Sequence, residues 1–248
     1  MPDSLNYADG ALLEPLSVVL HGFERSPVRL GEAAVVLGAG PIGLIALAVA
    51  KASGACPLVV TDLDAGRLEF ARRFVPGAIP VKVDVGKEPV EMARVIGEAV
   101  VEAGGQIPRV VYECTGVQSS VVTASFVPRP GGEVMVIGVG KATMNDLPFM
   151  HMSMAEVSQT LQFHQNSINI SLQVDLKFIN RYHHSWPVAI RLLGYGVLDL
   201  KPLVTHRFPL EQAVEALTAA SDRSSGSIKV HIEDGGAQGP VGKTISRL

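Results

Sequence analysis

The chain has 248 residues, enough for one large domain or for one domain with a smaller unit. Hydrophobic residues make up 47% of the chain and predict a large core, and a formal net charge of -3 argues against nucleic acid as a partner. The two cysteines, Cys56 and Cys114, cannot form a disulfide framework, so we expect a reducing, cytoplasmic compartment. We expect no secretory signal, because the first residues lack a basic region followed by an apolar run. We expect no membrane span, because the apolar runs are of strand length or are broken by glycine and charge.

Strand-like and helix-like segments alternate between residues 33 and 140. The strand-like segments are continuous apolar runs rich in Val and Ile, which are typical of strands covered on both faces. This alternation predicts an α/β fold with a doubly wound parallel sheet and right-handed crossovers. The predicted strands are 33–40, 57–64, 79–85, 108–116 and 132–140, and the helical stretches between them are 42–54, 65–74, 88–105 and 118–130.

The two ends of the chain depart from this alternation. An apolar segment at 10–22 belongs to no strand–helix–strand unit, and the C-terminal region contains a helix candidate at 185–196 and a short strand at 227–232. The residues 234–248 are Gly-rich and polar, so we expect them to be disordered.

A glycine-rich turn follows the first predicted strand. Gly38, Gly40 and Gly43 match the pattern G-x-G-x-x-G, with Pro41 and Ile42 between the last two glycines. The glycines permit a tight turn, close approach to a pyrophosphate and tight helix–strand packing, while the helix N-terminus offers N–H groups to phosphates. The pattern alone is weak, and the alternative is a turn that binds no nucleotide. Its position between a strand and a helix favours a dinucleotide site.

Asp62 ends the second predicted strand, 19 residues beyond Gly43. An acidic residue at this place accepts hydrogen bonds from the ribose hydroxyls of the adenosine. Its carboxylate repels a 2′-phosphate, so we expect NAD rather than NADP as the cofactor. Arg67 is expected to stack on the adenine or to pair with Asp62.

Five runs, in this order along the chain, resemble the zinc-dependent polyol dehydrogenases of the medium-chain dehydrogenase/reductase superfamily. They are GALLEPLSVVLHG, GAGPIGL, VVTDLD, ECTG and KPLVTHRFPLEQAVEAL, and the resemblance covers residues 3–233 apart from one interruption. Within the family they are most similar to fungal L-arabinitol 4-dehydrogenases, then to sorbitol and xylitol dehydrogenases. The resemblance implies a Rossmann-type domain and hydride transfer from a polyol to NAD, with a zinc ion that polarises the alcohol oxygen.

The resemblance also implies roles for individual residues. The glycine turn lines the pyrophosphate, Asp62 and Arg67 face the adenosine ribose, and Cys114 and Thr115 border the adenine side of the cleft. Glu14 matches a glutamate at the zinc site. The residues expected near the nicotinamide or the substrate are Ile137, Gly138, Val139 and Arg181. We interpret Cys114 as a packing residue rather than a nucleophile.

The family carries its cysteine and histidine–glutamate zinc ligands in a GroES-like domain that precedes these runs. We therefore expect remnants of that catalytic domain at 1–18 and 185–233, on either side of an NAD-binding domain at 19–184, in a truncated chain that is inactive alone. Apolar residues of the C-terminal remnant are expected to be partly exposed and to cause self-association, namely Leu203, Val204, Phe208 and Leu217.

Residues 157–173 interrupt the resemblance. Without them a MAE-like segment leads directly into VDLKFINRYHHSWP, as in the family, and the insertion contains no Lys, Arg, Asp or Glu. We favour a retained intron translated in frame over a genuine loop. The resemblance implies that this edge of the sheet builds a homo-oligomer, so the insertion threatens both strand register and assembly.

Three functions stay open at this point. The first is an NAD-dependent polyol dehydrogenase, with a small-molecule polyol and neither nucleic acid nor membrane as a partner. The second is an NAD-binding module without catalysis. The third is a zinc-independent reductase, which the LEPLS and THRFPLE runs disfavour.

Overall fold

Seven strands form one mixed sheet in a computed structural model of the chain, which describes residues 2, 4–144, 158–164 and 171–234. The strands of this sheet are β1 (Ala34–Leu37), β2 (Leu58–Asp62), β3 (Ala78–Lys82), β4 (Val110–Glu113), β5 (Gly132–Val136), β6 (Ser158–His164) and β7 (Ser171–Phe178). Their order is β3-β2-β1-β4-β5-β7-β6, and every neighbouring pair is parallel except β6 with β7. The predicted doubly wound α/β fold is confirmed, because the order 3-2-1-4-5 is that of a Rossmann sheet.

Eight helices accompany the strands in the described part of the chain. They are α1 (Tyr7–Gly10), α2 (Leu13–Arg25), α3 (Pro41–Ala52), α4 (Ala65–Phe74), α5 (Pro89–Glu102), α6 (Gln118–Phe126), α7 (Trp186–Gly194) and α8 (Ala213–Ser221). Local sequence sets several of their starts: the Asp64 carboxylate caps α4 by accepting from the Arg67 N–H at 3.0 Å, and Pro occupies the first turn of α3 and α5. Of the helices described, none is long and apolar enough to cross a bilayer.

The helices cover both faces of the sheet, and alternate residues of each strand serve opposite faces. In β1, Val36 belongs to the hydrophobic cluster formed with α2 and α3, whereas Val35 belongs to the cluster formed with α5 and α6. Both side chains are fully buried. Burial on both faces explains why the strands have continuous apolar sequences.

Helix α2 continues past residue 18, where the N-terminal remnant was predicted to end, and it packs against the sheet. Its Leu16, Val19 and Phe23 lie in the same cluster as the β1 and β4 side chains. The Phe23 ring stacks on Tyr112 with centroids 4.0 Å apart, and the Tyr112 hydroxyl donates to the Ser26 carbonyl at 2.7 Å. This helix is therefore part of the same core as the strands.

The C-terminal region packs on α2 and then forms a small unit of its own. The Ser185 hydroxyl donates to the Ser17 carbonyl at 2.9 Å where α7 begins. Strands β8 (Val204–Pro209) and β9 (Lys229–Glu233) form a parallel pair with α8 between them in the chain. The expectation that Leu203 is exposed is wrong, because a 3₁₀ turn at Lys201–Leu203 directs this side chain into the main core, where it is 1% exposed.

The predicted insertion supplies an additional edge strand. Strand β6 pairs antiparallel with β7, from Ser158 opposite Lys177 to His164 opposite Ser171. The Thr160 hydroxyl donates to the Asp175 carboxylate across this pair at 2.8 Å. The last three residues of the insertion, 171–173, begin β7. Residues 157 and 165–170 of the insertion, and residues 235–248 of the tail predicted to be disordered, lie outside the described residues.

A charged network ties the amino ends of β4 and β5 together. Arg109 contacts the Glu133 carboxylate at 2.9 Å and the Glu32 carboxylate at 3.5 Å, and Lys177 contacts the other Glu133 oxygen at 2.9 Å. Burial acts to raise the pKa of Glu133, but the hydrogen bonds from Lys177 and Ser26 and the charges of Lys177 and Arg109 outweigh burial and lower it. The ionised form of Glu133 is therefore favoured in the folded protein.

Candidate functional site

A cavity of about 720 Å³ opens where the strands β1, β2, β3 and β4 end. This is the place where ligands bind in open α/β sheets, at the carboxyl ends of the strands. Six of the predicted cofactor residues line it: Gly38, Gly40, Asp62, Arg67, Cys114 and Thr115. The sequence motifs that suggested a nucleotide are thus brought together in one cleft.

The glycine turn has the backbone geometry that its pattern predicts. Gly38 has a φ of 100°, and a Cβ there would lie 2.8 Å from Thr115 Cγ2. A Cβ at Gly43 would overlap the carbonyl oxygen of Gly38, whereas one at Gly40 would meet open space. No side chain caps α3. Its first N–H groups and the open side of Gly40 therefore suit a phosphate oxygen approaching the turn.

The Asp62 carboxylate is held between two segments of the cleft. One oxygen accepts from the Ala39 N–H at 2.8 Å and the other accepts from the Asp64 N–H at 2.9 Å. An ionised carboxylate offers about four acceptor positions, so capacity for two further donors remains. A ribose with two adjacent hydroxyls provides such donors.

The segment that follows β4 lies directly beside the glycine turn and forms another part of the cavity wall. The side chains of Cys114 and Thr115 are half-buried and border the cavity. Burial and the neighbouring Glu113 raise the pKa of the Cys114 thiol well above its ordinary value. A neutral thiol is a poor nucleophile, which agrees with a packing role for Cys114.

The other predicted residues lie outside the lining of this cavity. Pro41, Ile42 and Gly43 form the first turn of α3, just beyond the glycines that do line it. The remaining four differ in exposure: Ile137 and Gly138 are buried, Val139 is 76% exposed, and Arg181 is exposed with a φ of 57°. The Ile137 side chain packs towards α2, since a Cβ at Gly22 would come within 2.9 Å of it.

Sequence reasoning missed more than two thirds of the cavity lining. The missed residues lie mainly in the segments after β2 and β3 and in the first two turns of α5 and α6, and they include Leu63, Asp84, Val85, Lys87, Met92, Val117, Ser119 and Thr123. Most of these residues lie at the end of a predicted strand or within three residues beyond it, whereas Met92 and Thr123 lie further along in helices. Which residues of α5 and α6 face the cleft depends on how these helices pack on the sheet, and no local motif predicts that packing.

The residues described do not form a catalytic zinc site. Glu14 is exposed in the first turn of α2. Cys56 is exposed before β2, and Cys114 borders the cavity at the carboxyl ends of the strands. Within the described ranges no group of three or more His, Cys, Asp or Glu side chains is arranged to hold a metal ion, whereas catalytic zinc takes about three protein ligands.

Comparison with known proteins assigns the chain to a protein family. The sequence profile of the family described as zinc-binding dehydrogenase matches residues 41–192, which is more than half of the chain. The chain belongs to the zinc-binding dehydrogenases. Its fold matches that of medium-chain dehydrogenases, so the predicted membership of that superfamily is confirmed.

Two curated relatives of this zinc-binding dehydrogenase act on polyols by name. The chain is 46% identical to the L-arabinitol 4-dehydrogenase of Aureobasidium melanogenum, over 92% of the chain and 56% of the relative. It is 42% identical to the sorbitol dehydrogenase of Mus musculus, over 89% of the chain and 55% of the relative. The chain thus spans a little over half the length of these relatives.

A solved structure supports the same placement. The 2R,3R-butanediol dehydrogenase of Bacillus subtilis matches with a TM-score of 0.72 and 26% identity, over 94% of the chain and 59% of that protein. The match includes nearly all of the chain. The zinc-binding dehydrogenase fold therefore extends over the sheet, α2 and the C-terminal unit together.

Proposed function

We propose that the chain binds NAD in the cleft between the glycine turn and the segment after β4, as the coenzyme-binding part of a polyol dehydrogenase. The observation that carries this proposal is the convergence of Gly38, Gly40, Asp62 and Arg67 on one cavity. When bound, NAD accepts a hydride from a secondary alcohol carbon. The names of the curated relatives support an L-arabinitol- or sorbitol-type polyol as the substrate class.

The chain's own residues have distinct parts in this proposal. The N–H groups at the start of α3 bind the pyrophosphate, with Gly40 leaving room for it. Asp62 accepts from the ribose hydroxyls and repels a 2′-phosphate, which favours NAD over NADP. Arg67 contributes to the adenosine side of the cleft, where it is half-buried.

Calorimetric titration with NAD and with NADP tests the binding. We expect saturable binding of NAD, weaker binding of NADP, and a loss of NAD affinity of about tenfold or more in Asp62→Asn, because a hydrogen bond to a charged group is removed. Asp222→Asn is the matched control, since Asp222 also accepts a backbone N–H, from Ser224 at 2.8 Å, in an exposed turn outside the cleft. No heat of binding with the wild-type chain would refute the proposal.

NAD binding without turnover is the second candidate function. It is favoured by the absence of a metal-ligand group among the described residues. An assay of NADH formation with L-arabinitol, sorbitol and xylitol, with zinc content measured on the same sample, separates the two functions. We propose that this chain alone binds NAD and does not oxidise polyols, so zinc-dependent turnover would contradict that part.

We also propose a cellular location and an assembly state for the chain. A cytoplasmic location is supported by Cys56 and Cys114, which are both free thiols. Assembly into a homo-oligomer is proposed from the family resemblance, and sedimentation velocity at several concentrations measures it.

A further inference from the structure

Glu113 ends the central strand β4 beside the cleft, and its side chain is fully buried, at 0% exposure. The proposed function does not use it, since the cavity is lined by its neighbours Cys114 and Thr115. Burying a carboxylate is costly unless hydrogen bonds compensate for lost water. The arrangement around Glu113 therefore requires an explanation.

Four donors from one short segment point at the Glu113 carboxylate. Oε1 accepts from the Thr115 N–H at 2.9 Å, from the Thr115 hydroxyl and from the Ser120 hydroxyl at 2.8 Å. Oε2 accepts from the Gly116 N–H at 3.0 Å. The carboxylate thereby fixes the segment 114–120, which includes the N-terminus of α6.

The backbone of Glu113 joins this segment to the end of β5. Its carbonyl accepts the N–H groups of both Ile137 and Gly138, at 2.8 and 2.9 Å. A Cβ at Gly138 would come within 2.7 Å of Oε2 and would overlap the Gly116 nitrogen. Glu113 thus lies between the wall of the adenosine cavity and the segment expected at the nicotinamide.

The same side chain also reaches the glycine turn through Thr115. The Thr115 methyl group contacts Gly38, where an added Cβ would lie 2.8 Å away. The methyl position is fixed by two hydrogen bonds from Thr115 to Glu113. A shift of the carboxylate would therefore move both walls of the cleft.

We propose that Glu113 is a positioning residue for the cofactor, holding the 114–120 segment against the glycine turn and against Gly138. This inference rests on the proposed NAD binding. Burial acts to raise the pKa of Glu113, the four hydrogen bonds act to lower it, and burial prevails. Either protonation state keeps two oxygens that can accept, which the surrounding N–H groups need.

A glutamine cannot replace Glu113 at this place. One end of its amide is an NH₂ group, which donates and does not accept. If the NH₂ replaces Oε1 it faces the Thr115 N–H, and if it replaces Oε2 it faces the Gly116 N–H. Either orientation sets two donors against each other and displaces the segment.

The test compares NAD affinity in Glu113→Gln with that in Glu133→Gln, by calorimetry at a temperature well below the melting point of every variant. Glu133 is a part-buried carboxylate on the adjacent strand β5, but it lies at the amino end, away from the cleft. We expect Glu113→Gln to lose affinity about tenfold or more, since the displaced 114–120 segment no longer fits the cofactor, while Glu133→Gln keeps the wild-type affinity. Amide hydrogen exchange should rise at 114–120 and 137–140 in Glu113→Gln only.

Wild-type affinity in a folded Glu113→Gln variant would overturn the inference. If Glu113→Gln does not fold, Glu113→Asp replaces it, because this change keeps the carboxylate but withdraws it by one carbon from its donors. Wild-type affinity in Glu113→Asp, or failure of both variants to fold, would also overturn the inference. Absence of NAD binding by the wild-type chain would instead refute the proposed function.

Discussion

At Gly43 the backbone of the turn itself takes the space that a side chain would need. Gly43→Ala should lower the free energy of unfolding by about 1–3 kcal/mol, since the overlap with the Gly38 carbonyl can be relieved only by moving the backbone. Urea unfolding followed by circular dichroism measures this change.

Gly40→Ala is the contrasting variant in the same turn. Its methyl group would meet open space, so the stability should stay near the wild-type value. The methyl group would nevertheless occupy the place proposed for the pyrophosphate, so NAD affinity should fall. Equal loss of stability in the two variants would contradict this account of the turn.

The lowered pKa of Glu133 predicts that the stability of the protein depends on pH. Its pKa is lowered in the folded protein, so it contributes stability above its unfolded pKa and loses that contribution as pH falls through the folded value. Glu133→Gln should lower the free energy of unfolding by about 1–3 kcal/mol at pH 7, because Arg109 and Lys177 lose their partner. The difference from wild type should shrink as the pH falls through the lowered pKa of the folded state, where the wild-type carboxylate becomes protonated.

Glu69→Gln serves as the control for this prediction. Glu69 pairs with Arg72 on the exposed surface of α4, and the hydrogen bond from Arg72 lowers its pKa as well. Solvent screens that pair, so the substitution should change stability little at any pH. Melting curves at pH 7 and at pH 3.5 for both variants give the comparison.

At the scale of elements, sequence patterns predicted the parts whose signal is local. The span 65–74 predicted for α4 agrees with the structure, because Asp64 caps it and the helix ends before a glycine turn. The five predicted parallel strands are present but shorter, since their carboxyl ends bend into the loops that line the cleft. The position of Asp62 beside the glycine turn was predictable from motif spacing, whereas the packing of α5 and α6 onto the cleft was not.

Strand β6 shows why the rest could not be predicted. Its sequence, SQTLQFH, has little apolar alternation, so the run carries no clear strand signal. It forms a strand because β7 supplies a paired edge of seven residues. The role of Glu113 is equally hidden, since its four donors come from backbone and hydroxyl groups that no motif identifies.

Deletion of residues 157–173 tests the contribution of β6. Strand β7 would keep its pairing with β5 from Val174 to Phe178, and the cleft lies at the other side of the sheet. We expect NAD affinity within about twofold of wild type and increased self-association, because an unpaired strand edge accepts other strands. Light scattering after size-exclusion chromatography measures the association.

A Gly/Ser linker of equal length in place of 157–173 is the matched control for the deletion. The linker keeps the chain spacing but removes the β6 sequence, so it should self-associate like the deletion. Loss of NAD binding in either variant would contradict the separation of β6 from the cleft.

At the scale of the whole molecule, the C-terminal unit exposes several apolar side chains that are close together in the chain. Val214 and Leu217 on α8 are 74% and 65% exposed, and Leu210 just before them is 56% exposed. The earlier expectation of exposure thus applies to Leu217, while the half-buried Val204 and Phe208 contribute less. A cluster of this kind favours association with another surface.

The double variant Val214→Lys/Leu217→Lys should reduce self-association without lowering the melting temperature. Both side chains are already in solvent, so little burial is lost. Leu30→Lys is the control, since Leu30 is 86% exposed on the turn before β1. Sedimentation velocity should show a shift for the α8 variant and none for the control.

The neighbouring strands β4 and β5 hold their acidic residues at opposite ends: Glu113 beside the cleft, Glu133 in the charged network with Arg109. Because the two ends of the strands are far apart, stability and coenzyme preference can be engineered independently in this protein. Substitutions around Arg109 and Glu133 change heat tolerance while leaving coenzyme preference untouched. Substitutions around Asp62 would likewise change coenzyme preference without disturbing the charged network at the amino ends of β4 and β5.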